Sequence, residues 1–124
     1  MSIDIRYLIG DEKYRGKCVH HLLHIYIVSI QPMRYSWDRK KNLRNLIRHG
    51  IAFEDAARIF DGPTVEKVDD RFDYGENRVY AVGLVNGLEI TVVYTDESDD
   101  ERRIISAWRA EPHERRSYWQ NIES

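Results

Sequence analysis

RVYAVGLVNGLEITVVYT, residues 78–95, decides the fold. Asn86-Gly87 divides it into two runs rich in β-branched and aromatic residues. That dipeptide is the strongest short hairpin signal, because a type I′ turn needs positive φ at both central positions. A two-residue turn pairs Val85 with Leu88 and so sets the register. One face then carries Val79, Ala81, Val85, Leu88, Ile90, Val92 and Tyr94, a core face. The other carries Arg78, Tyr80, Val82, Leu84, Glu89, Thr91, Val93 and Thr95, a mixed face able to hold polar chemistry.

Downstream, the acidic tip Asp96–Asp100 leads to a strand at about 101–109. If the tip is a plain five-residue loop, Arg103 and Arg109 share the mixed face with Arg78; a slip of one residue reverses this. Pro112, suited to the first helical position, opens a last helix over about 112–121 that presents Glu114, Arg115 and Tyr118. Upstream, Thr64–Val68 reads as a strand. Asp61-Gly62-Pro63 before it ends a short helix at about 53–60, whose Phe53, Ala56, Ala57 and Phe60 share a face. Earlier still, Asp38 as N-cap and Gly50 after the last turn bracket a helix over about 39–49. Its apolar stripe of Leu43, Leu46 and Ile47 is expected to face the core, with Lys41, Arg44, Asn45 and Arg48 opposite. The order β–α–α–β–β–β–β–α predicts an α+β domain, a small antiparallel sheet with helices.

The bulk numbers narrow the class. A chain of 124 residues, 42% hydrophobic and 32% charged, is an ordinary globular protein with room for one core. Cys18 is the single cysteine, so neither an intramolecular disulfide nor a cysteine-rich zinc site is expected, and a reducing cytoplasm is the natural location. CVHHLLHIYIVSI, residues 18–30, is apolar and follows Lys13, Arg15 and Lys17. It is shorter than the roughly 20 residues a spanning helix needs, and no cleavage pattern follows it. His20 and His24 lack a third ligand. No membrane association, metal or cofactor is expected, and no P-loop, HExxH, GxSxG or Cys-x-x-Cys pattern occurs.

Charge is distributed unevenly. The net charge is −2, yet more than half of the Lys and Arg fall in residues 37–56 and 102–118. Cations gathered in this way build a local anion site rather than a diffuse basic coat. Lys41, Arg44 and Arg48 share one side of their helix without an interleaved acid, whereas exposed helix faces ordinarily mix signs. An anionic partner is expected there.

Trp37-Asp38, Lys41, Asn45, His49-Gly50, Phe53-Glu54 and Ala56 come first in an ordered set of motifs. Phe60-Asp61 with Pro63, Tyr74-Gly75-Glu76 with Arg78, and Gly83 follow. Arg103–Ala107, Arg109-Ala110 and Glu114-Arg115-Arg116 with Tyr118 close it. This set resembles the BrnT-type toxins of bacterial type II toxin–antitoxin pairs, small ribonucleases of the RelE-like superfamily, over residues 35–118. Two positions depart from the family pattern. Trp108 stands where an Arg commonly follows Ser-Ala, and Ala52 stands where Ser or Thr usually caps the second helix, a loss of about 1 kcal/mol. Such chains typically begin shortly before Trp-Asp, where Met33 sits here. Residues 1–32 therefore read as an N-terminal extension or a mis-assigned start, and 33–124 as the toxin domain.

The resemblance implies a RelE-like fold and metal-independent RNA cleavage that inhibits translation. It also implies a cognate BrnA-like ribbon-helix-helix antitoxin, bound as a hetero-oligomer, with operator DNA reached only through that partner. Metal-free cleavage makes the RNA 2′-hydroxyl attack the adjacent phosphate, which requires charge stabilisation and two proton transfers. Arg78 and Arg109 are candidates for the scissile phosphate; Arg103, Lys41, Arg44 and Arg48 are candidates for RNA binding. His49, Glu114 and Tyr118 are candidates for proton transfer, His49 needing the least tuning near neutral pH. Each also has a plainer role: His49 and Glu114 at helix ends complement the dipole, and Tyr118 can fill a core. Glu76 is expected to pair with a neighbouring Arg. Trp108 keeps open the alternative of a catalytically inactive module retained for antitoxin binding and co-repression.

Overall fold

The computed structural model describes residues 32–123. The chain divides into two units after Met33, and the account below concerns the second, residues 34–124. Residues 1–31 lie outside the described residues, and with them the apolar run 18–30 and nearly all of the segment read as an N-terminal extension or mis-assigned start.

An edge strand β1 (Arg34–Ser36) precedes helix α1 (Arg39–His49), and the short helix α2 (Phe53–Ala56) runs into a 3₁₀ turn (Ala57–Asp61). Strands β2 (Val65–Asp69), β3 (Arg78–Val85), β4 (Leu88–Ser98) and β5 (Glu101–Arg109) follow, and helix α3 (Pro112–Glu123) closes the domain. The sheet order is β1-β5-β4-β3-β2. The hairpin forms in the expected register, with Val85 opposite Leu88. Asn86 and Gly87 take φ of 51° and 80°, the pair of positive values a type I′ turn requires. β1 runs parallel to β5, Arg34 opposite Glu101, so the sheet is mixed rather than wholly antiparallel. A pairing that remote in sequence leaves no turn signal to read.

The acidic tip is not a five-residue loop. β4 continues to Ser98, which faces Glu101 across Asp99-Asp100, and the β4–β5 ladder shifts register at Asp96/Ser98 and again at Val93/Tyr94. The second shift leaves Ile105 as an extra residue on β5, and each such insertion exchanges the faces beyond it. Arg103 pairs with Thr95 and keeps to the mixed face beside Arg78, whereas Arg109 pairs with Ile90 on the core-face side. The expectation that Arg109 shares a face with Arg78 therefore fails.

The core face packs against α2 and the 3₁₀ turn. Phe53, Ala56 and Ile59 are fully buried against Ala81, Val92, Ile104 and Ala107. The tighter 3₁₀ winding selects Ile59 rather than Phe60 as the deep residue, and Phe60 moves to the rim, stacked on Tyr35 at 5.6 Å. The turn rests on bare β3 backbone: a Cβ at Gly83 would stand 2.8 Å from Ile59 Cβ. On the other side α3 covers part of the mixed face, burying Val82, Ala110 and Tyr118. A second, smaller core results.

α1 departs most from expectation. Asp38 caps it as read, accepting from the Lys40 and Lys41 N–H groups at 2.9 and 3.0 Å. Yet Leu43, Leu46 and Ile47 are 59%, 45% and 77% exposed, and the buried residue is Asn45. Its Nδ2 donates to the Ala107 and Ile51 carbonyls at 2.8 and 2.9 Å, and its Oδ1 accepts from the Ala107 N–H at 3.1 Å. Asn42 also turns inward, its Oδ1 accepting from the Phe53 N–H at 2.8 Å. The cap missing at Ala52 is thus supplied from α1.

Asn45→Ala should lower the unfolding free energy by about 2–4 kcal/mol in chemical denaturation, because it strands both polar groups of Ala107. Asn42→Ala should cost about 1 kcal/mol, the usual worth of a cap. Losses below about 0.5 kcal/mol for both would contradict these roles.

Candidate nucleic-acid interface

The uncovered part of the mixed face gathers arginines around carboxylates. Glu76 stands just ahead of β3. Its Oε1 accepts from Arg78 Nε at 3.1 Å and its Oε2 from an Arg103 terminal nitrogen at 3.0 Å. Arg103 Nε also donates to Glu97 at 2.7 Å. Guanidiniums from β3 and β5, with β4 between them, therefore converge on one carboxylate, as Glu76 was expected to provide for a neighbour. The Arg78 guanidinium lies 4.0 Å from the Tyr74 ring centre, a cation–π contact that further fixes it.

A third arginine is clamped close by. Asp69 ends β2 opposite Arg78, and its buried carboxylate accepts from Arg71 Nε and a terminal nitrogen at 2.9 and 3.1 Å. The Arg71 hydrogen bonds, working against burial, hold the Asp69 carboxyl below its ordinary range. Arg71 lies over the Tyr80 ring at 4.9 Å, and Tyr80 meets Trp108 edge to face at 5.9 Å. Burial pushes the Tyr80 phenol up.

Glu114 holds Trp108 in place. Its Oε1 accepts from Trp108 Nε1 at 3.1 Å and from the Glu111 N–H at 2.7 Å, so this carboxylate caps α3 while fixing the indole. Asp69, Arg71, Tyr80, His113, Glu114 and Tyr118 are among the residues lining a cavity of about 330 Å³. Tyr118 is buried there, its hydroxyl donating to the Pro63 carbonyl at 3.2 Å, and burial pushes its pKa up.

The helical cations form a separate group. Lys41, Arg44, Arg48 and His49 line a groove of about 370 Å³ with Ile105 and Ser106, along the outer edge of β5. Arg109 stands apart from Arg78 and Arg103; its charge acts on Glu89, whose carboxyl is lowered first by a hydrogen bond from Trp119 and less by Arg115 and Arg109. The structure thus unites Arg78 with Arg103, the α1 cations with His49, and Glu114 with Tyr118. Sequence reading passed over Asp69, Arg71 and His113, which carry no motif. Tyr80 could have been found, since it lies on the mixed face two residues from Arg78. Among the described residues no cluster of three or more His, Cys, Asp or Glu is placed to hold a metal, and no helix is long and apolar enough to cross a membrane.

Fold and site together define a small α+β domain with an arginine-lined face suited to a phosphate backbone. Residues 37–114 match the family model of the BrnT ribonuclease toxin of type II toxin–antitoxin systems. That is more than half of the chain, and the chain belongs to this family. Among solved structures it is similar to the 1.1 Å crystal structure of the Brucella abortus ribonuclease toxin BrnT. The TM-score is 0.50 and the identity 27%, covering 64% of this chain and 97% of that one. No curated protein matched.

Because the Asp69 carboxyl is lowered in the folded state, its contribution is present above the unfolded value near 3.8 and is lost as pH falls through the folded value. Asp69→Asn should be about 1–2 kcal/mol less stable than wild type at pH 7, and the gap should narrow between pH 4 and pH 2. A gap that stays constant down to pH 2 would detach it from Asp69 ionisation.

Proposed function

We propose that this toxin cleaves RNA without a metal, at the mixed face of its sheet, and that a BrnA-like ribbon-helix-helix antitoxin neutralises it in the cytoplasm and alone contacts operator DNA. The observation that carries the reading is the convergence of Arg78 and Arg103 on Glu76. Arg78 engages Glu76 through Nε, which leaves the rest of its planar fork for phosphate oxygens. Two guanidiniums held in place before the strand arrives stabilise the charge that builds when the 2′-hydroxyl attacks the phosphorus.

The other groups take roles suited to their settings. Lys41, Arg44 and Arg48 gather the strand along the edge of β5, and Arg109 adds to affinity rather than holding the scissile phosphate. Tyr80 and Trp108 form an aromatic platform on which an unpaired base stacks, worth about 1–3 kcal/mol per base. The Trp in place of the family's Arg then changes how RNA is held, and Arg71 supplies a cation beside it. His49 and His113 border the two grooves and are the proposed proton carriers. Glu114 positions Trp108, and Tyr118 floors the cavity.

A second reading, an inactive module kept for antitoxin binding and co-repression, rests on Trp108. Growth and cleavage assays separate the two. Induced expression without antitoxin should arrest bacterial growth, and co-expression of the adjacent gene should restore it. Arg78→Ala and Arg103→Ala should each lower cleavage by roughly 10²–10³-fold with the fold intact. Arg109→Ala and Lys41→Ala should mainly flatten the salt dependence. EDTA should leave cleavage unchanged. Soluble wild-type protein that neither arrests growth nor cuts RNA would favour the inactive module; cleavage that survives the Arg78→Ala/Arg103→Ala pair would refute the proposed site.

A further inference from the structure

α1 is built inside out. Its asparagines face the protein while Leu43, Leu46 and Ile47 face away, at 59%, 45% and 77% exposure. A single exposed leucine needs no explanation, but three large aliphatic residues on one side of one helix do. Leu43 and Leu46 line a groove of about 710 Å³ with Trp37 and Ala52, rimmed by Arg39 and Lys40. Glu54 also borders it and is engaged by Asn42 Nδ2 at 2.7 Å. The helix itself, RKKNLRNLIRH, contains no Asp or Glu.

We infer that this outward face of α1 docks an acidic amphipathic helix of the antitoxin. The inference rests on the toxin reading above for the existence of that partner, and on charge for its nature. A second copy of this chain would set Arg39, Lys40 and Arg44 against their own duplicates, and like charges brought face to face at an interface are strongly disfavoured. RNA would match the cations and leave Leu43, Leu46 and Ile47 against water. A helix with apolar residues three or four apart, flanked by Asp and Glu, satisfies both demands at once.

The placement also explains neutralisation. Successive residues turn about 100° around a helix, so Arg44 and Arg48 border the apolar face as well as the groove along β5. An acidic segment seated on Leu43 and Ile47 draws these cations away from RNA. Inhibition then works through the strand-gathering helix and leaves the Arg78–Glu76–Arg103 cluster uncovered.

The test uses the full chain and the protein encoded by the adjacent gene. Leu43→Gln/Ile47→Gln alters only exposed side chains, so the melting temperature and RNA cleavage should stay close to wild type. Affinity for the partner, measured by calorimetry, should fall roughly 10²-fold, the expected loss of two buried aliphatic contacts. Arg39→Gln/Lys40→Gln should slow association and weaken its salt dependence. Partner affinity within twofold of wild type in the Leu43/Ile47 variant would overturn the inference. So would a variant that loses RNA cleavage while retaining the partner, which would give the face to RNA. A wild-type dimer that becomes monomeric in the variant would give it to a second copy and overturn the inference too. A wild-type chain that neither cuts RNA nor binds the adjacent gene product would sink the toxin reading and this one together, an outcome distinct from the others.

Discussion

The amide of Asn45 does the work of a missing strand. β1 pairs with β5 only from Glu101 to Arg103, so the outer edge of β5 beyond that point needs another partner. Asn45 supplies one donor and one acceptor to Ala107, as a paired strand residue would. Turning α1 over would leave both polar groups of Ala107 and the Ile51 carbonyl without the Asn45 amide, and the observed rotation keeps them matched. With Asn45 inward, Asn42 comes to the start of α2 and caps it, which in turn seats Phe53 and Ile59 on the core face. The same rotation lays Lys41, Arg44 and Arg48 along β5 and turns the leucines outward.

The bulge at Ile105 makes the second decisive choice. In an uninterrupted strand Arg103, Ala107 and Arg109 would share a face, and Trp108 would point beneath α1 and α2. Ala107 is fully buried there, in a space that suits a methyl group and not an indole. The extra residue moves Trp108 to the mixed face, where Tyr80 and Glu114 receive it, and sends Arg109 away from Arg78. Face assignment on β5 is thus a consequence of side-chain volume as much as of ladder geometry.

What was legible in the sequence was local. Asn86-Gly87, the Asp38 cap and Pro112 each act within a few residues, and each placed its element correctly. The motif order that resembles the BrnT toxins was legible as well, and the family match covers residues 37–114. The rotation of α1 was not, because an apolar stripe is read as core-facing unless a hydrogen-bonding demand is known, and that demand comes from Ala107, far along the chain. The parallel pairing of β1, the bulge, and the Asp69–Arg71 clamp are likewise settled by distant neighbours. At the candidate site, grouping Arg78 with Arg103 and Arg109 depended on the length of the acidic tip. The actual turn with its shift at Asp96/Ser98 still leaves Arg103 on that face, whereas the further insertion at Ile105 moves Arg109 off it.

The two cationic regions differ in a way that bears on the proposed handling of RNA. On and beside the sheet, Arg71, Arg78 and Arg103 each have a carboxylate partner that fixes the guanidinium. Among the described residues no salt bridge ties Lys41, Arg44 or Arg48. A tethered guanidinium loses little freedom when phosphate arrives, which favours geometry over reach. An untethered cation on a helix flank is mobile and fully available to the field outside, which favours collection of a strand from a distance. In a chain of net charge −2, carboxylates beside the sheet arginines also lower their pull on anions until one fits the fork. If RNA binds as proposed, capture by α1 and retention by the sheet are separable steps, and a partner that neutralised only the first would leave the second chemically intact but unsupplied.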